Sequence, residues 1–284
     1  RLTGEGFPGY TGPLNVNTLT RSGNPRPDSI VVSVAGPSVP HVLVVDATTG
    51  RVALSFYAFD PKFLGGVTVA GGVTKLNGEQ TTVILCGAGA GSAPAVSVFD
   101  AVDGYSKGAF YAFSEQYKGG VRVAMSSPLA DGTSYVVVGS TINSHVVAFD
   151  LNDYYKPILS FHAFHDNLTP QGIYVASGDL DDDNLNEMVV GAGQGTASPQ
   201  VVVFGMDGKL KKSFNAFDMS FLGGVRVGVA DFNKDGKLDI LAASGVGVPG
   251  ILNVFNYDNL ALLDSVFISD STMGSDVANN FSRG

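Results

Sequence analysis

The sequence predicts an all-β fold, a five-bladed β-propeller of four-stranded blades, and three observations predict it. A phrase built on Phe-x-Ala-Phe recurs at a nearly constant interval. Each interval holds four short strand-like segments separated by turn residues. No stretch sustains a 3.6-residue apolar period with capping residues, so almost no helix is expected. The phrase reads Phe56-Tyr57-Ala58-Phe59-Asp60, then Phe110-Tyr111-Ala112-Phe113, Phe161-His162-Ala163-Phe164 and Phe214-Asn215-Ala216-Phe217-Asp218, in steps of 54, 51 and 53 residues. A worn fifth copy begins at Val266, 52 residues further on, and keeps Asp270. Four strands in about 40–50 residues, repeated, is the sequence form of a propeller blade.

The elements follow in order within each unit. A Gly-rich pair and an alternating strand come soon after each phrase: Gly65-Gly66-Val67-Thr68-Val69, Gly119-Gly120-Val121-Arg122-Val123, Gln171-Gly172-Ile173-Tyr174-Val175 and Gly223-Gly224-Val225-Arg226-Val227. In the fourth unit the strands are read as Val225–Ala230, Leu238–Ala243, Ile251–Phe255 and Ala261–Phe267. Apolar residues alternate or run in short blocks there, bounded by Gly, Pro, Asn and Asp. Near the start of the chain, Ser29–Ala35, His41–Val45 and Arg51–Phe56 align with the second, third and fourth strands of a unit. Ser275–Phe281, near the end, aligns with a first strand. The N- and C-terminal segments are therefore expected to build one composite blade, which closes the ring and hides two sheet edges. Residues 28–284 are assigned to the propeller. Residues 1–27, rich in Gly, Pro, Thr and Asn, read as a leader or linker. Because the first residue is Arg1 rather than Met, the chain reads as a processed or excised piece of a longer one.

Composition narrows the function. The 284 residues include 17 Lys+Arg against 26 Asp+Glu, a formal net charge of −9, which argues against nucleic acid as a partner. No apolar run approaches the about 20 residues of a membrane-spanning helix, so no membrane insertion is expected. The single Cys86 leaves no disulfide framework and no multi-cysteine metal site. It sits in the apolar run Val83-Ile84-Leu85-Cys86, with no neighbouring base to activate it.

The candidate chemistry lies in the loops between the first and second strands. In the fourth unit the loop reads Asp231-Phe232-Asn233-Lys234-Asp235-Gly236-Lys237-Leu238-Asp239. In the third it reads Asp179-Leu180-Asp181-Asp182-Asp183-Asn184-Leu185-Asn186-Glu187. Oxygen side chains fall at positions 1, 3, 5 and 9 of both, with Gly236 or Asn184 at position 6, where a positive φ is tolerated. Ca²⁺ takes about six to eight hard oxygens at flexible distances, and alternate residues of a tight loop can aim three side chains at one point. Two Ca²⁺ sites are therefore expected, held by Asp179, Asp181, Asp183, Glu187 and the carbonyl of Leu185, and by Asp231, Asn233, Asp235, Asp239 and the carbonyl of Lys237. Mg²⁺ suits them less, since it demands a stricter octahedron. An EF-hand is excluded: its twelfth position needs Glu, where these loops have Val190 and Ala242, and it needs flanking helices. The corresponding segments Val73–Glu79, Ser127–Gly132 and Pro25–Asp28 lack the ligand set, and no metal is expected there.

With its Asp-x-Asn-x-Asp-Gly-x-x-Asp spacing between strands, the loop resembles those of FG-GAP/VCBS-type repeats, found in integrin α-subunit propellers and many bacterial surface proteins. The phrase Phe-x-Ala-Phe-Asp followed by Gly-Gly-Val-x-Val, then that loop, looks like the bacterial branch. The resemblance spans about residues 28–281, is specific in the fourth unit, good in the third and partial elsewhere. It implies a calcium-loaded extracellular propeller serving adhesion or surface assembly, or decorating a larger secreted enzyme. It supplies no ligand.

Other motifs carry less. Gly87-Ala88-Gly89-Ala90-Gly91 and Gly191-Ala192-Gly193-Gln194-Gly195 are blade turns rather than phosphate loops, because Pro94 and Pro199 follow and no helix does. His162 and His165 are three apart on a strand or turn, which does not bring them together. Asp181 and Asp183 could work as acid and base on a glycan, but their place in a turn makes them ligands first. The recurring phenylalanines read as packing between blades. Tyr10, Tyr57, Tyr105, Tyr111, Tyr154 and Tyr155 are the candidates for exposed sugar or protein contacts. Specific sites are expected where the repeats differ, as at Thr141–His145 and the insertion Asp153-Tyr154-Tyr155-Lys156. The expected function is non-catalytic: a secreted or cell-surface adhesion and assembly module whose partner is a protein, a surface or matrix glycan, or copies of itself. A glycan-binding lectin, or an accessory domain of a polysaccharide-active enzyme, is the alternative.

Overall fold

A computed structural model describes residues 6–20, 28–164 and 172–269. It is all-β, with five antiparallel four-stranded sheets. Blade 1 contains β1 (Leu14–Leu19), β2 (Ser29–Val34), β3 (His41–Asp46) and β4 (Val52–Tyr57). Blade 2 contains β5 (Val67–Leu76), β6 (Glu79–Ala88), β7 (Ala95–Asp100) and β8 (Ser106–Tyr111). Blade 3 contains β9 (Val121–Met125), β10 (Tyr135–Ser140), β11 (His145–Asp150) and β12 (Lys156–His162). Blade 4 contains β13 (Ile173–Gly178), β14 (Glu187–Ala192), β15 (Gln200–Gly205) and β16 (Leu210–Asn215). Blade 5 contains β17 (Val225–Ala230), β18 (Asp239–Ser244), β19 (Gly250–Phe255) and β20 (Leu262–Ser269). Each sheet is a meander in sequence order, and the five first strands surround one central cavity, so the blades form a ring.

Burial explains the strand types. The middle strands carry continuous apolar runs, such as Val201-Val202-Val203-Phe204, because a neighbouring blade covers each face. The fourth strands of blades 1 to 4 alternate half-buried and exposed residues, because only one face is covered. Four apolar clusters span the interfaces of blades 1/2, 2/3, 3/4 and 4/5. The first Phe of each phrase crosses such an interface. Phe56 meets Phe99, Phe110 meets Phe149, Phe161 meets Phe204 and Phe214 meets Phe255, with ring centroids 4.6–4.9 Å apart. The inter-blade reading of these aromatics holds. In the fifth copy Val266 stands in the Phe position, and β20 is exposed along nearly its whole length.

The composite blade needs correction. The first strand of blade 1 is β1, which lies within residues 1–27 and pairs antiparallel with β2 in the register Leu14↔Val34 to Leu19↔Ser29. The blade thus draws all four strands from the N-terminal segment. Sequence reading missed β1 because Leu14-Asn15-Val16-Asn17 follows no Phe-x-Ala-Phe phrase and no Gly pair. Ser275–Phe281 and Asp270, on which the composite reading rested, lie outside the described residues.

The second residue of each Gly pair has a structural reason. Gly66, Gly120, Gly172 and Gly224 all take positive φ, between 71° and 91°. Each backs onto the main chain of the preceding blade, at Ala35, Gly89, Thr141 and Gly193 respectively. Its carbonyl accepts the amide of the turn after the second strand of its own blade: Gly89 N–H to Gly66, Gly193 N–H to Gly172 and Gly245 N–H to Gly224, at 2.8–3.0 Å. The Gly-x-Gly runs are therefore packing turns. Gly91 and Gly195 likewise spend their amides on Lys118 and Leu222, which leaves no cradle for a phosphate.

Candidate metal centre

The two acidic loops fall in blades 4 and 5, each joining a first to a second strand. Their backbones match residue for residue. Positions 4 and 6 take positive φ in both: Asp182 (60°) and Asn184 (63°) in one, Lys234 (62°) and Gly236 (91°) in the other. The sequence signalled position 6 but not position 4. The internal hydrogen bonds also match. The position-5 carboxylate accepts the position-7 amide, Leu185 N–H to Asp183 at 2.7 Å and Lys237 N–H to Asp235 at 2.9 Å. The position-9 carboxylate accepts the position-2 amide, Leu180 N–H to Glu187 at 2.8 Å and Phe232 N–H to Asp239 at 3.2 Å. Such side-chain acceptors for local amides are what let Asp and Asn hold tight loops.

In the blade 4 loop, oxygens of Asp179, Asp181 and Glu187 lie within 4.8 Å of one another. Glu187 is fully buried at the start of β14, and Asp181 Oδ1 is buried without a hydrogen-bond partner. Asp183 and Leu185 sit on the exposed rim. A recess of about 290 Å³, lined in part by Asp179 and Asn184, opens beside the loop against Ser127–Ala130 of blade 3. Sequence reading did not foresee Lys211. It reaches in from β16, with Nζ 2.5 Å from Glu187 Oε1, 2.9 Å from Asp181 Oδ2 and 3.8 Å from Asp183 Oδ2. Burial raises the Glu187 carboxyl above its ordinary range, against the pull of Lys211 and the Leu180 amide, and the Asp181 charge adds to the rise. Burial also works against the charge on Lys211, but hydrogen bonds to Glu187 and Asp181 carry its pKa above the usual lysine value.

The blade 5 loop is looser. Its carboxylates form no such three-oxygen group among the described residues. Asp231 accepts the amides of Asp235 and Gly236, both at 3.1 Å, and Asn233 donates to Asp235 at 2.8 Å. Lys237 turns away to Asp258, at 2.8 Å. Asp239 is fully buried with Oδ1 unpartnered, and burial raises its pKa despite the amides of Phe232 and Asn233. Among the described residues no ammonium enters this loop from the fourth strand, because Leu263 stands 52 residues after Lys211, one repeat on. A buried carboxylate oxygen without a partner costs free energy that a cation would recover. The donor sets, all hard oxygen, fit Ca²⁺ in both loops.

The equivalent loops of other blades differ physically. In blade 2 the expected loop is not a loop: β5 and β6 run on to a two-residue turn at Asn77 (φ 52°) and Gly78 (φ 88°), pairing Leu76 with Glu79. Asn-Gly is the strongest signal for that turn, and it leaves no room for ligands. In blade 3, Asp131 is occupied by the amide and hydroxyl of Thr133. Of Pro25–Asp28, residues 25–27 lie outside the described residues.

Cys86 is fully buried, and burial pushes its thiol pKa up, as expected of an inert packing residue. His162 stacks on His145 across β11 and β12, at 4.9 Å, a pairing the sequence spacing did not reveal; His165 lies outside the described residues. Tyr155 is not an exposed contact residue. It stacks on Phe110 at 5.2 Å and donates to Lys107 O at 2.9 Å. Tyr10 is half-buried and donates to Pro13 O at 2.7 Å. Tyr57, Tyr105, Tyr111 and above all Tyr154, at 94% exposure, remain on the surface.

No protein-family model matches the chain, and no curated protein matches it in sequence. Solved structures match its fold. The Dos1 propeller aligns with 95% of this chain and 64% of its own, at TM-score 0.53 and 13% identity. The WD40 domain of Toxoplasma gondii coronin aligns with 95% and 60%, at TM-score 0.52 and 11% identity. A chain of the COPII outer coat vertex aligns with 84% and 58%, at TM-score 0.55 and 8% identity. At such identities the likeness establishes a β-propeller and nothing finer. The chain spans about three fifths of the structures it matches. The FG-GAP/VCBS resemblance thus rests on the loop residues themselves.

Proposed function

We propose that the chain is a non-catalytic interaction and assembly module of an extracellular surface, with Ca²⁺ held by loops 179–187 and 231–239. The observation that carries this reading is the convergence of Asp179, Asp181 and Glu187 on one point. Three carboxylates so placed repel one another; Lys211 offsets part of that charge, and a divalent cation would offset the rest. Asp179, Asp181, Asp183, Glu187 and the Leu185 carbonyl would hold one ion; Asp231, Asn233, Asp235, Asp239 and the Lys237 carbonyl would hold the other. Bound Ca²⁺ supplies charge neutralisation and loop rigidity. Extracellular millimolar calcium saturates sites of modest affinity, whereas resting cytosol does not. A stiff ring that presents variable loops suits recognition by a protein or a surface glycan, or lateral packing of copies. A similar propeller occurs in the COPII outer coat vertex.

Lys211 makes the two sites unequal under this reading. Its ammonium competes with Ca²⁺ in blade 4 and has no counterpart in blade 5. Lys211→Met is therefore expected to tighten calcium binding by the blade 4 loop at least tenfold while lowering the stability of the calcium-free protein, because Glu187 then lacks a countercharge. Calcium titration of the intact chain by calorimetry reads both sites. An unchanged or weaker blade 4 site in Lys211→Met would contradict the assignment.

A second reading, glycan binding, is favoured by a cleft of about 520 Å³ between blades 2 and 3. Asn77, Gln80, Asp100, Asn152 and Tyr154 line it. The insertion Asp153–Lys156 holds Tyr154 (φ 50°) and Tyr155 (φ 56°) in consecutive left-handed conformations. Non-glycine residues in that region cost about 1–3 kcal/mol each and cluster at functional sites. Tyr155 is bolted to blade 2 over Gly108, where a Cβ would lie 2.1 Å from the Tyr155 hydroxyl. The anchored Tyr155 leaves Tyr154 presented at the cleft. If the cleft takes a neutral oligosaccharide, Tyr154→Ala lowers retention on an immobilised glycan at least tenfold without changing the unfolding midpoint by more than a degree or so. Unchanged retention would remove this reading.

A further inference from the structure

Among the described residues the central cavity is lined by the five first strands, and its charged side chains are two arginines. Arg122 and Arg226 face it from β9 and β17, with Tyr174 of β13 between their strands. Both guanidinium groups lie over the same Tyr174 ring, at 3.9 and 5.1 Å from its centroid, so the two guanidinium carbons are within about 9 Å of one another. Among the described residues no acidic side chain lines the cavity and neither arginine makes an ion pair. In a chain of net charge −9, with 26 acidic residues available, this is an uncompensated pair of like charges.

In blades 1 to 3 the second residue of the first strand bonds to the next blade, whereas among the described residues Tyr174 and Arg226, in blades 4 and 5, do not. Asn15 donates to Val67 O at 2.7 Å, Thr68 to Val121 O at 2.9 Å and Arg122 to Ile173 O at 2.9 Å. Each ties its blade to the first residue of the next first strand. Arg226 occupies the same position in blade 5, lines the cavity and makes no hydrogen bond among the described residues. Asn17 also lines the cavity. It is 5% exposed, and its Oδ1 has no hydrogen-bond partner. Turning that amide end for end presents two N–H donors instead. The cavity measures about 70 Å³, several times the about 10–15 Å³ that one water needs.

We infer that the central cavity is a binding site for a small oxyanion, bridged by Arg226 and Arg122, with Asn17 as a further polar contact and the Tyr174 ring as its wall. Guanidinium groups match the paired oxygens of phosphate, sulfate and carboxylate, and charge-assisted bonds of this kind are about twice as strong as neutral ones. This site is independent of the acidic loops and of the calcium reading.

The test is calorimetric titration of the whole chain in calcium-free buffer at constant ionic strength, with inorganic phosphate, sulfate and acetate in separate arms. The expected result is saturable one-to-one binding of at least one of them, weakened at least tenfold in Arg226→Gln and only partly restored in Arg226→Lys. The phosphate and sulfate arms report a tetrahedral oxyanion, and the acetate arm reports a carboxylate. Arg226→Gln removes no hydrogen bond of the fold, and its circular dichroism should match the parent. Arg122→Gln, which loses the bond to Ile173, serves as a second variant. Failure of all three anions to saturate the parent, or equal binding by parent and Arg226→Gln, would overturn the inference.

Discussion

Replacing Glu187 with alanine is expected to destabilise the protein by about 3 kcal/mol, whether or not calcium is supplied. The residue is fully buried at the head of β14. Its carboxylate accepts Lys211 Nζ at 2.5 Å and the Leu180 amide at 2.8 Å. Removing one partner of a buried pair typically costs about 3–5 kcal/mol, because the other is stranded. Here the lower end applies: Lys211 keeps Asp181, and its side chain is 28% exposed. The Leu180 amide, however, loses its acceptor, and a buried unpaired donor adds to the loss. For a chain of this length the midpoint should fall by roughly 5–10 °C. Glu187→Gln keeps the acceptor for Leu180 and should recover part of the loss in stability without recovering calcium binding. Equal stability of Glu187→Ala and the parent in urea or heat would show that the cluster is not a structural element.

Gly66→Ala is expected to cost a similar amount, about 3 kcal/mol, by a different route. At φ +78° an alanine is strained, and its Cβ would lie 2.3 Å from Ala35 C and 2.5 Å from Gly36 N. All three nearest atoms belong to the backbone of blade 1, so no side chain can turn aside. Blade 2 must then move off blade 1, loosening the cluster that joins Val31, Val42 and Val44 to Val67, Val69 and Ile84. Gly72→Ala is the control, within the strand β5 that Gly66 immediately precedes. There the nearest atom is Met125 Sδ at 3.5 Å, an ordinary contact, and the change should lie within about 0.5 kcal/mol of neutral. Unfolding curves of the two variants should separate clearly. Coincident curves would mean that the Gly pair is not what sets the spacing of the blades.

Much of the ring was legible because a propeller repeats its packing chemistry. The same Phe crosses each of four interfaces, and the same Gly meets the neighbouring backbone, so a period near 52 residues exposes both. The exception is instructive. Strand β1 carries neither signature, since it follows no fourth strand, and an N-terminal segment of Asn, Val and Leu reads as linker by composition. Of the acidic loops, the spacing and the turn at position 6 were readable, because they follow from local conformation. Lys211 was not, because it arrives from three strands away, and nothing in a loop motif records which side chain the fourth strand aims at it. The same holds for Tyr155, whose seat over Gly108 exists only between blades, and for the two arginines over Tyr174, which lie about 50 residues apart on each side.

The most direct test of the central claim is metal content and thermal unfolding on one sample, with millimolar calcium and after exhaustive chelation. The account predicts about two bound Ca²⁺ per chain and a clear calcium-dependent rise of the midpoint, since an ion that binds only the native state stabilises it. Asp183→Ala and Asp235→Ala should each remove one ion and part of the rise. A protein that retains no calcium and unfolds at the same temperature in both conditions would contradict it, leaving a propeller whose acidic loops are closed by Lys211 and by backbone amides alone.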